Sequence, residues 1–140
     1  MNKSLNLLLI NDSEDESRVI LNELRLGGYD TTYERVETPS AMNAALELPI
    51  WDVAIANYAT THSNARDTLK LFHEKELNLP VIIVSDLYEA GIAAEAVKIG
   101  ATDYIIRKDI SRIIPVINSV PDRDIRQSSK DRVSVQKFKR

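Results

Sequence analysis

Polar side chains that could do chemistry follow four short apolar runs of this sequence, at the point where each run stops. In chain order they are Asn11 and Asp12, then Asn57, then Ser85, and finally Arg107 with Lys108. A carboxylate and amide oxygens are hard ligands of the kind that Mg²⁺ prefers, and a guanidinium can bind an anion through two hydrogen bonds. Whether these groups meet depends on the elements that carry them.

Five apolar runs predict the strands of a sheet. Four of them are almost continuously apolar, as strands buried on both faces must be, and they cover residues 5–10, 53–56, 81–84 and 104–106. The remaining run, residues 31–36, is mixed and charged, which favours an exposed edge strand.

Helical patterns separate the runs. Ser13 to Glu16 fits a capping box, and Thr38-Pro39 fits an N-cap followed by a first helical residue. A fifth helix requires Pro115 in its first turn, where proline does no harm. The apolar positions that mark the five helices are Ile20, Leu21 and Leu24; Met42, Ala45 and Leu46; Ala65, Leu69 and Phe72; the Ala-rich stretch 90–97; and Ile110, Ile113, Ile114 and Ile117.

The alternation predicts a (βα)₅ three-layer sandwich with a parallel sheet of order 2-1-3-4-5, because the second strand is the edge-like one. The carboxyl ends of strands one, three, four and five then meet at one crevice. The polar residues named above are expected to lie there together.

Residues 5–118 resemble a receiver domain of two-component signalling, the CheY-like module with a flavodoxin-like fold. The segments that carry the resemblance are LLLINDSEDE, WDVAIANY, LPVIIVS and AVKIGATDYIIRKD, in that order. The resemblance implies a role for each position at the strand ends. Positions 11 and 12 correspond to the acidic pair of the family, position 57 to the phosphoacceptor and position 107 to a lysine; in this sequence they hold Asn11, Asp12, Asn57 and Arg107. Ser85 corresponds to the switch hydroxyl and Tyr104 to the switch aromatic.

This sequence departs from the family pattern where the chemistry would occur. Asn57 is an amide, which cannot form the acyl phosphate of the family. With Asn11 also neutral, Asp12 is the sole carboxylate expected to hold Mg²⁺, so no cofactor is expected and any Mg²⁺ binding should be weak. Arg107 replaces the lysine, with Lys108 one position later, and could bind an anion, bind Asp12, or pair with a surface acid.

Each residue also has a simpler interpretation. A register slip at Asn57 does not restore an acceptor, since Ala56 and Tyr58 flank it and Asp52 lies at the other end of the strand; deamidation to Asp is a further alternative. Asp12 can serve as a helix-terminal charge. Ser85 can be a turn residue, Tyr104 a packed aromatic, and Asp86 a stray acceptor.

Composition restricts the function classes. The 140 residues contain no cysteine and two histidines, His62 and His73, which are both predicted to lie at the surface. No apolar stretch is long enough for a membrane span, so a cytoplasmic protein is expected. Residues 1–120, the receiver-like domain, carry a net charge of −7, whereas residues 121–140 carry +4. This tail is predicted to be a linker or disordered segment, with nucleic-acid contact as the alternative.

The sequence therefore predicts a phosphorylation-independent module, without enzymatic activity, that acts by protein–protein interaction in bacterial signalling. The partner would be a kinase or an output module, which a longer chain could also contain, and a homodimer is a further option. The expected surface is the face of the fourth helix, fifth strand and fifth helix, centred on Ala93, Val97, Tyr104 and Ile110. The alternatives are a true phosphoacceptor that uses Asp12 or Asp86 and a nucleic-acid contact through the tail.

Overall fold

A computed structural model describes residues 3–58, 64–86 and 90–120. Five strands alternate with five α-helices, and a 3₁₀ helix precedes the last one. The elements are β1 (Lys3–Ile10), α1 (Glu14–Leu26), β2 (Tyr29–Val36), α2 (Pro39–Leu46), β3 (Val53–Asn57), α3 (Ala65–Glu74), β4 (Val81–Ser85), α4 (Ala90–Ile99), β5 (Asp103–Ile106), the 3₁₀ helix (Arg107–Arg112) and α5 (Ile113–Ser119). The predicted (βα)₅ alternation is confirmed.

The strands form one parallel sheet in the order β2-β1-β3-β4-β5, as predicted. β1 lies in the interior of the sheet, and its last residue, Ile10, pairs with Val36 on one side and Ala56 on the other. β2 is an edge strand in which four of the eight residues are exposed. Because every pair is parallel, the carboxyl ends of β1, β3, β4 and β5 lie along one edge of the sheet.

Two apolar cores cover the two faces of the sheet. One face contributes alternate strand residues such as Leu7 and Ile55, which pack with α1 and α5; the other contributes residues such as Leu8 and Ile83, which pack with α2, α3 and α4. This is the period-two division expected of strands that are buried on both faces. The layer of helices on each side makes the three-layer sandwich.

Side-chain caps fix where the helices begin. The hydroxyls of Ser13 and Thr38 accept from the backbone N–H three residues later, at 3.1 and 3.0 Å, and Asn64 does the same at 2.9 Å. Pro39 occupies the first position of α2, as predicted. Gly100 follows α4 with φ of +127°, a conformation that side chains with a Cβ rarely adopt.

The fifth helix is shorter than predicted. Ile110 belongs to the 3₁₀ helix, and α5 begins only at Ile113, which places Pro115 in its first turn as required.

Three other predictions concern surface and membrane properties. His73 is exposed, as predicted, whereas His62 and the tail 121–140 lie outside the described residues. Within the described part of the chain, every helix is too short or too polar to cross a bilayer.

Candidate functional site

The sheet brings the predicted polar residues to a single crevice at its carboxyl edge. Asn57 ends β3 and pairs with Val84, and Ser85 ends β4 and pairs with Ile106, which is followed by Arg107. Asn11 directly follows Ile10, the partner of Ala56. The register therefore places four separated stretches of chain next to one another, as the sequence predicts.

Glu16 also belongs to this crevice, although its local sequence predicts a capping role. The predicted capping box would direct its carboxylate back to the N–H of Ser13. Instead, Asn11 Oδ1 accepts that N–H at 3.1 Å, and only the Ser13 half of the box forms. The Glu16 side chain is 13% exposed, against 89% for neighbouring Asp15. Its carboxylate is thus available to the crevice.

A sequence signal for this position does exist. Glu16 lies four residues before Ile20 and eight before Leu24, both of which are buried on α1. This spacing puts Glu16 on the same face of the helix, at the end nearest the crevice. The capping pattern and the buried stripe predict two different directions for the Glu16 side chain. In the structure, Glu16 follows the direction of the stripe.

Arg107 connects the two sides of the crevice. One terminal nitrogen donates to Glu16 Oε1 at 2.5 Å and lies 3.4 Å from Asn57 Oδ1, and the other forms an ion pair with Asp86. Of the roles predicted for this residue, the pair with a surface acid is present, since Asp86 is 80% exposed. Arg107 nevertheless stays in the crevice, because Glu16 is its second acidic partner.

Asn57 uses both ends of its amide. Its Nδ2 donates to Glu16 Oε2 at 3.2 Å, and its Oδ1 accepts from Arg107. The residue is 8% exposed, so its amide is largely shielded from bulk water. A carboxylate at this position could accept from Arg107 but could not donate to Glu16. An amide is therefore the side chain that satisfies both neighbours.

Asn11 is the most buried polar residue at this edge, with 1% exposure. Its Oδ1 accepts from Ser13 N and, at 3.0 Å, from the hydroxyl of Ser17, which orients the amide. Its Nδ2 has no hydrogen-bond partner among the described residues, and neither has Arg107 Nε. Both of these buried atoms are N–H donors.

The remaining predicted site residues lie around this cluster. Asp12 and Ser85 are half-buried, and Lys108 is exposed. Tyr104 is 5% exposed, belongs to the core, and packs edge-on against Tyr58 with the ring centroids 6.4 Å apart. Its surroundings are those of a packed aromatic.

The residues predicted to centre an interaction surface do not all reach the surface. Ala93 and Tyr104 are buried in the core beneath α4. Val97 is 53% exposed, and Ile110 is partly exposed while it packs on the opposite face of the sheet. The prediction must be corrected on this point, because a buried side chain cannot contact a partner; Val97 and Ile110 are the two that can.

The crevice is poorly suited to a divalent cation. No group of three or more His, Cys, Asp or Glu side chains within the described ranges is arranged to hold a metal. Asn11 Oδ1 and Asn57 Oδ1 already accept hydrogen bonds, and a guanidinium lies beside Glu16. Asn11, Glu16 and Asn57 thus offer Mg²⁺ no anionic oxygen without a hydrogen-bond donor beside it, and Asp12 stays the one ligand that the sequence predicts.

Comparison with known proteins places the fold. No protein-family model and no curated protein matches the sequence. Among solved structures, the Francisella response regulator 1452 receiver domain matches with a TM-score of 0.72 and 22% identity, over 83% of this chain and 95% of that one. CheY4 of Vibrio cholerae, a chemotaxis response regulator, matches with a TM-score of 0.68 and 14% identity, over 82% and 99%.

A third structure contains a bound group and a partner. The CheX–CheY–BeF₃–Mg²⁺ complex from Borrelia burgdorferi matches with a TM-score of 0.72 and 17% identity, over 83% of this chain and 88% of that one. At such identities the likeness shows the fold. This chain has the flavodoxin-like fold of CheY and of response-regulator receiver domains, which agrees with the predicted fold class.

Proposed function

We propose that residues 1–120 form a receiver-like module of bacterial two-component signalling that works without phosphorylation and acts by contacts with a protein partner. The observation that carries this proposal is the amide of Asn57. It stands at the end of β3, where the resemblance places the phosphoacceptor, and both of its ends are engaged by Glu16 and Arg107. An amide held in this way offers no oxygen nucleophile to a phosphodonor.

The proposed mechanism is recognition rather than catalysis. A phosphorylated receiver changes the populations of two conformations through a covalent charge, and a domain without an acceptor can be shifted only by differential binding. The partner is expected to be a kinase or output module. Binding of Mg²⁺ through Asp12 is expected to be weak, and a cytoplasmic location follows from the same proposal.

The decisive experiment is intact-mass spectrometry of the native chain after incubation with acetyl phosphate and Mg²⁺, with a phosphorylatable receiver domain as the positive control. We expect the native mass to stay unchanged while the control gains one phosphoryl group. A labelled native chain would contradict the proposal, and mapping of the label would then distinguish Asp12 from Asp86, the alternative acceptors.

The contact surface is proposed to lie around Val97 and Ile110. Val97 is a large apolar side chain that is 53% exposed on α4, within the face that the resemblance indicates as the contact surface. Val97→Glu should weaken self-association or partner binding, as measured by sedimentation and by titration calorimetry. Val19→Glu is the matched control, because Val19 is 48% exposed on α1, which is not part of the α4, β5 and α5 face and lies on the other side of the sheet from Val97. Equal effects of the two substitutions would refute this placement.

A further inference from the structure

We infer that the crevice is an oxyanion-binding site whose resident anion is the carboxylate of Glu16, supplied by the chain itself. The inference deepens the proposed function, and rests on it, since it takes Asn57 as a binding residue and not as a phosphoacceptor. The ligand class that the vacated site would accept is a small oxyanion, such as inorganic phosphate or acetate.

The contacts of Glu16 are those of a bound anion. Each carboxylate oxygen has its own donor: Oε1 accepts from the Arg107 guanidinium and Oε2 from the Asn57 amide. The three residues come from α1, β3 and the segment after β5, with 41 and 91 positions between Glu16 and its partners. Glu16 thus joins strand ends that are separate in sequence, as a bound ligand would.

Two further polar atoms of the crevice are also hydrogen-bond donors, which suits an anionic ligand. Arg107 Nε and Asn11 Nδ2 are buried donors without a partner among the described residues. Asn11 cannot exchange its amide ends to remove this donor, because its Oδ1 already accepts from Ser13 and Ser17. Unpaired buried donors favour an acceptor ligand, and an anionic oxygen forms the strongest bonds with them.

Nearby carboxylates do not remove the anion preference. Asp86 neutralises part of the Arg107 charge from the solvent side, where it is 80% exposed, and a pair exposed to that degree is weak. Glu16, at 13% exposure, is the inner partner. An external oxyanion therefore competes mainly with Glu16, and its removal should open the site.

The test is rescue of Glu16→Ala by a small anion. The Tm is measured in millimolar phosphate or acetate and compared with chloride at equal ionic strength. We expect Glu16→Ala to be less stable than the native chain in chloride and to regain about 4 °C near saturation with phosphate, because a ligand that binds only the folded state stabilises it. The native chain should not respond, since Glu16 already occupies the site.

Two variants control for other effects. Glu14→Ala removes an exposed acid from the same helical turn and should show no specific response to phosphate. Glu16→Gln keeps the side-chain volume and should not be rescued, because the amide still fills the site. If Glu16→Ala responds no more to phosphate than to chloride, or no more than Glu14→Ala does, the inference is wrong.

A Glu16→Ala chain that is unfolded in chloride still tests the point, because phosphate should then restore its circular dichroism by mass action. Absence of refolding would overturn the inference. The acetyl phosphate experiment separates this result from the proposed function: an unlabelled native chain together with a Glu16→Ala chain that does not respond to phosphate overturns only this inference, whereas a labelled native chain contradicts the proposed function on which the inference rests.

Discussion

The amide nitrogen of Asn57 lies 3.2 Å from a carboxylate oxygen of Glu16, a residue 41 positions earlier in the chain. This bond explains in physical terms why β3 ends in an amide. Asp at that position would place two carboxylates at hydrogen-bond distance with no proton between them, and Arg107 would have to neutralise both. The identities of residues 16 and 57 are therefore coupled.

The first prediction concerns this coupling. Asn57→Asp should lower the free energy of unfolding by about 1–3 kcal/mol, because a part-buried hydrogen bond is replaced by a repulsive contact. The double variant Asn57→Asp/Glu16→Gln should recover at least half of that loss, since Gln can donate to the new carboxylate. Urea unfolding of the four proteins in the cycle measures the coupling energy.

Asn22→Asp is the matched control for that cycle. Asn22 is exposed on α1 and its Oδ1 accepts from Arg25, which an Asp carboxylate can do equally well, so no loss is expected. An Asn57→Asp protein as stable as the native chain would show that the two residues are not coupled.

The cap of α1 gives a second prediction. Ser13→Ala removes the hydroxyl that accepts from Glu16 N at 3.1 Å and should cost about 1 kcal/mol. Ser40→Ala, at an exposed position in the first turn of α2, should be neutral or slightly stabilising, because alanine has the higher helix propensity. Equal losses in urea unfolding for the two serines would contradict the assignment of Ser13 as the cap.

The third prediction concerns the close approach of Gly27 and α5. A Cβ on Gly27 would lie 2.4 Å from Ile114 Cδ1 and 2.8 Å from its Cγ1, so Gly27→Ala should destabilise by about 1–3 kcal/mol. Gly91→Ala meets no atom within 4 Å and, in a helix, should stabilise. In a chain that already carries Ile114→Ala, the Gly27→Ala substitution should lower the Tm much less than it does in the native chain, because the clashing side chain is gone. If the two decreases in Tm are equal, the steric explanation fails.

Tyr29 gives a prediction for alkaline pH. Burial raises the pKa of the Tyr29 hydroxyl above its usual value of 10.0, so the folded state holds this proton more tightly than the unfolded chain does. The stability that the protonated Tyr29 hydroxyl contributes is fully present below pH 10.0. It is lost as the pH rises through the pKa that Tyr29 has in the folded state.

The comparison that checks this point is Tyr29→Phe against Tyr33→Phe, an exposed position on the same strand. Unfolding free energies are measured across the alkaline range for both variants and the native chain. The alkaline slope should decrease for Tyr29→Phe alone. An equal change at Tyr33 would assign the slope to other groups.

The order of the strands could be predicted from the sequence because it follows from local signals. Continuous apolar runs identified the four buried strands, the charged 31–36 run identified the edge, and Thr38-Pro39 located a helix start. Each signal lies within a few residues of the feature that it predicts. The predicted strand ends differ from the observed ones by one or two residues, as for β2, which begins at Tyr29 and not at residue 31.

The site was predicted only in part. Asn11, Asn57, Ser85 and Arg107 could be placed because strand ends converge, but the direction of Glu16 depends on partners 41 and 91 residues away. The local capping pattern suggested another bond for the same carboxylate. The burial of Ala93 and Tyr104 likewise depends on how α4 packs against the sheet, which spacing along the chain does not specify.

The bond from the Tyr29 hydroxyl to Asn118 Oδ1, 2.5 Å long, has a practical consequence for handling this protein. Tyr29 is the first residue of β2, so α5 ends at the amino edge of the sheet, opposite the crevice. A fluorophore or biotin attached directly after Val120 would be anchored at that far edge. A sensor chip loaded through such a tether would present the Asn57 crevice to the flowing solution, and anion titrations could be read without blocking the site.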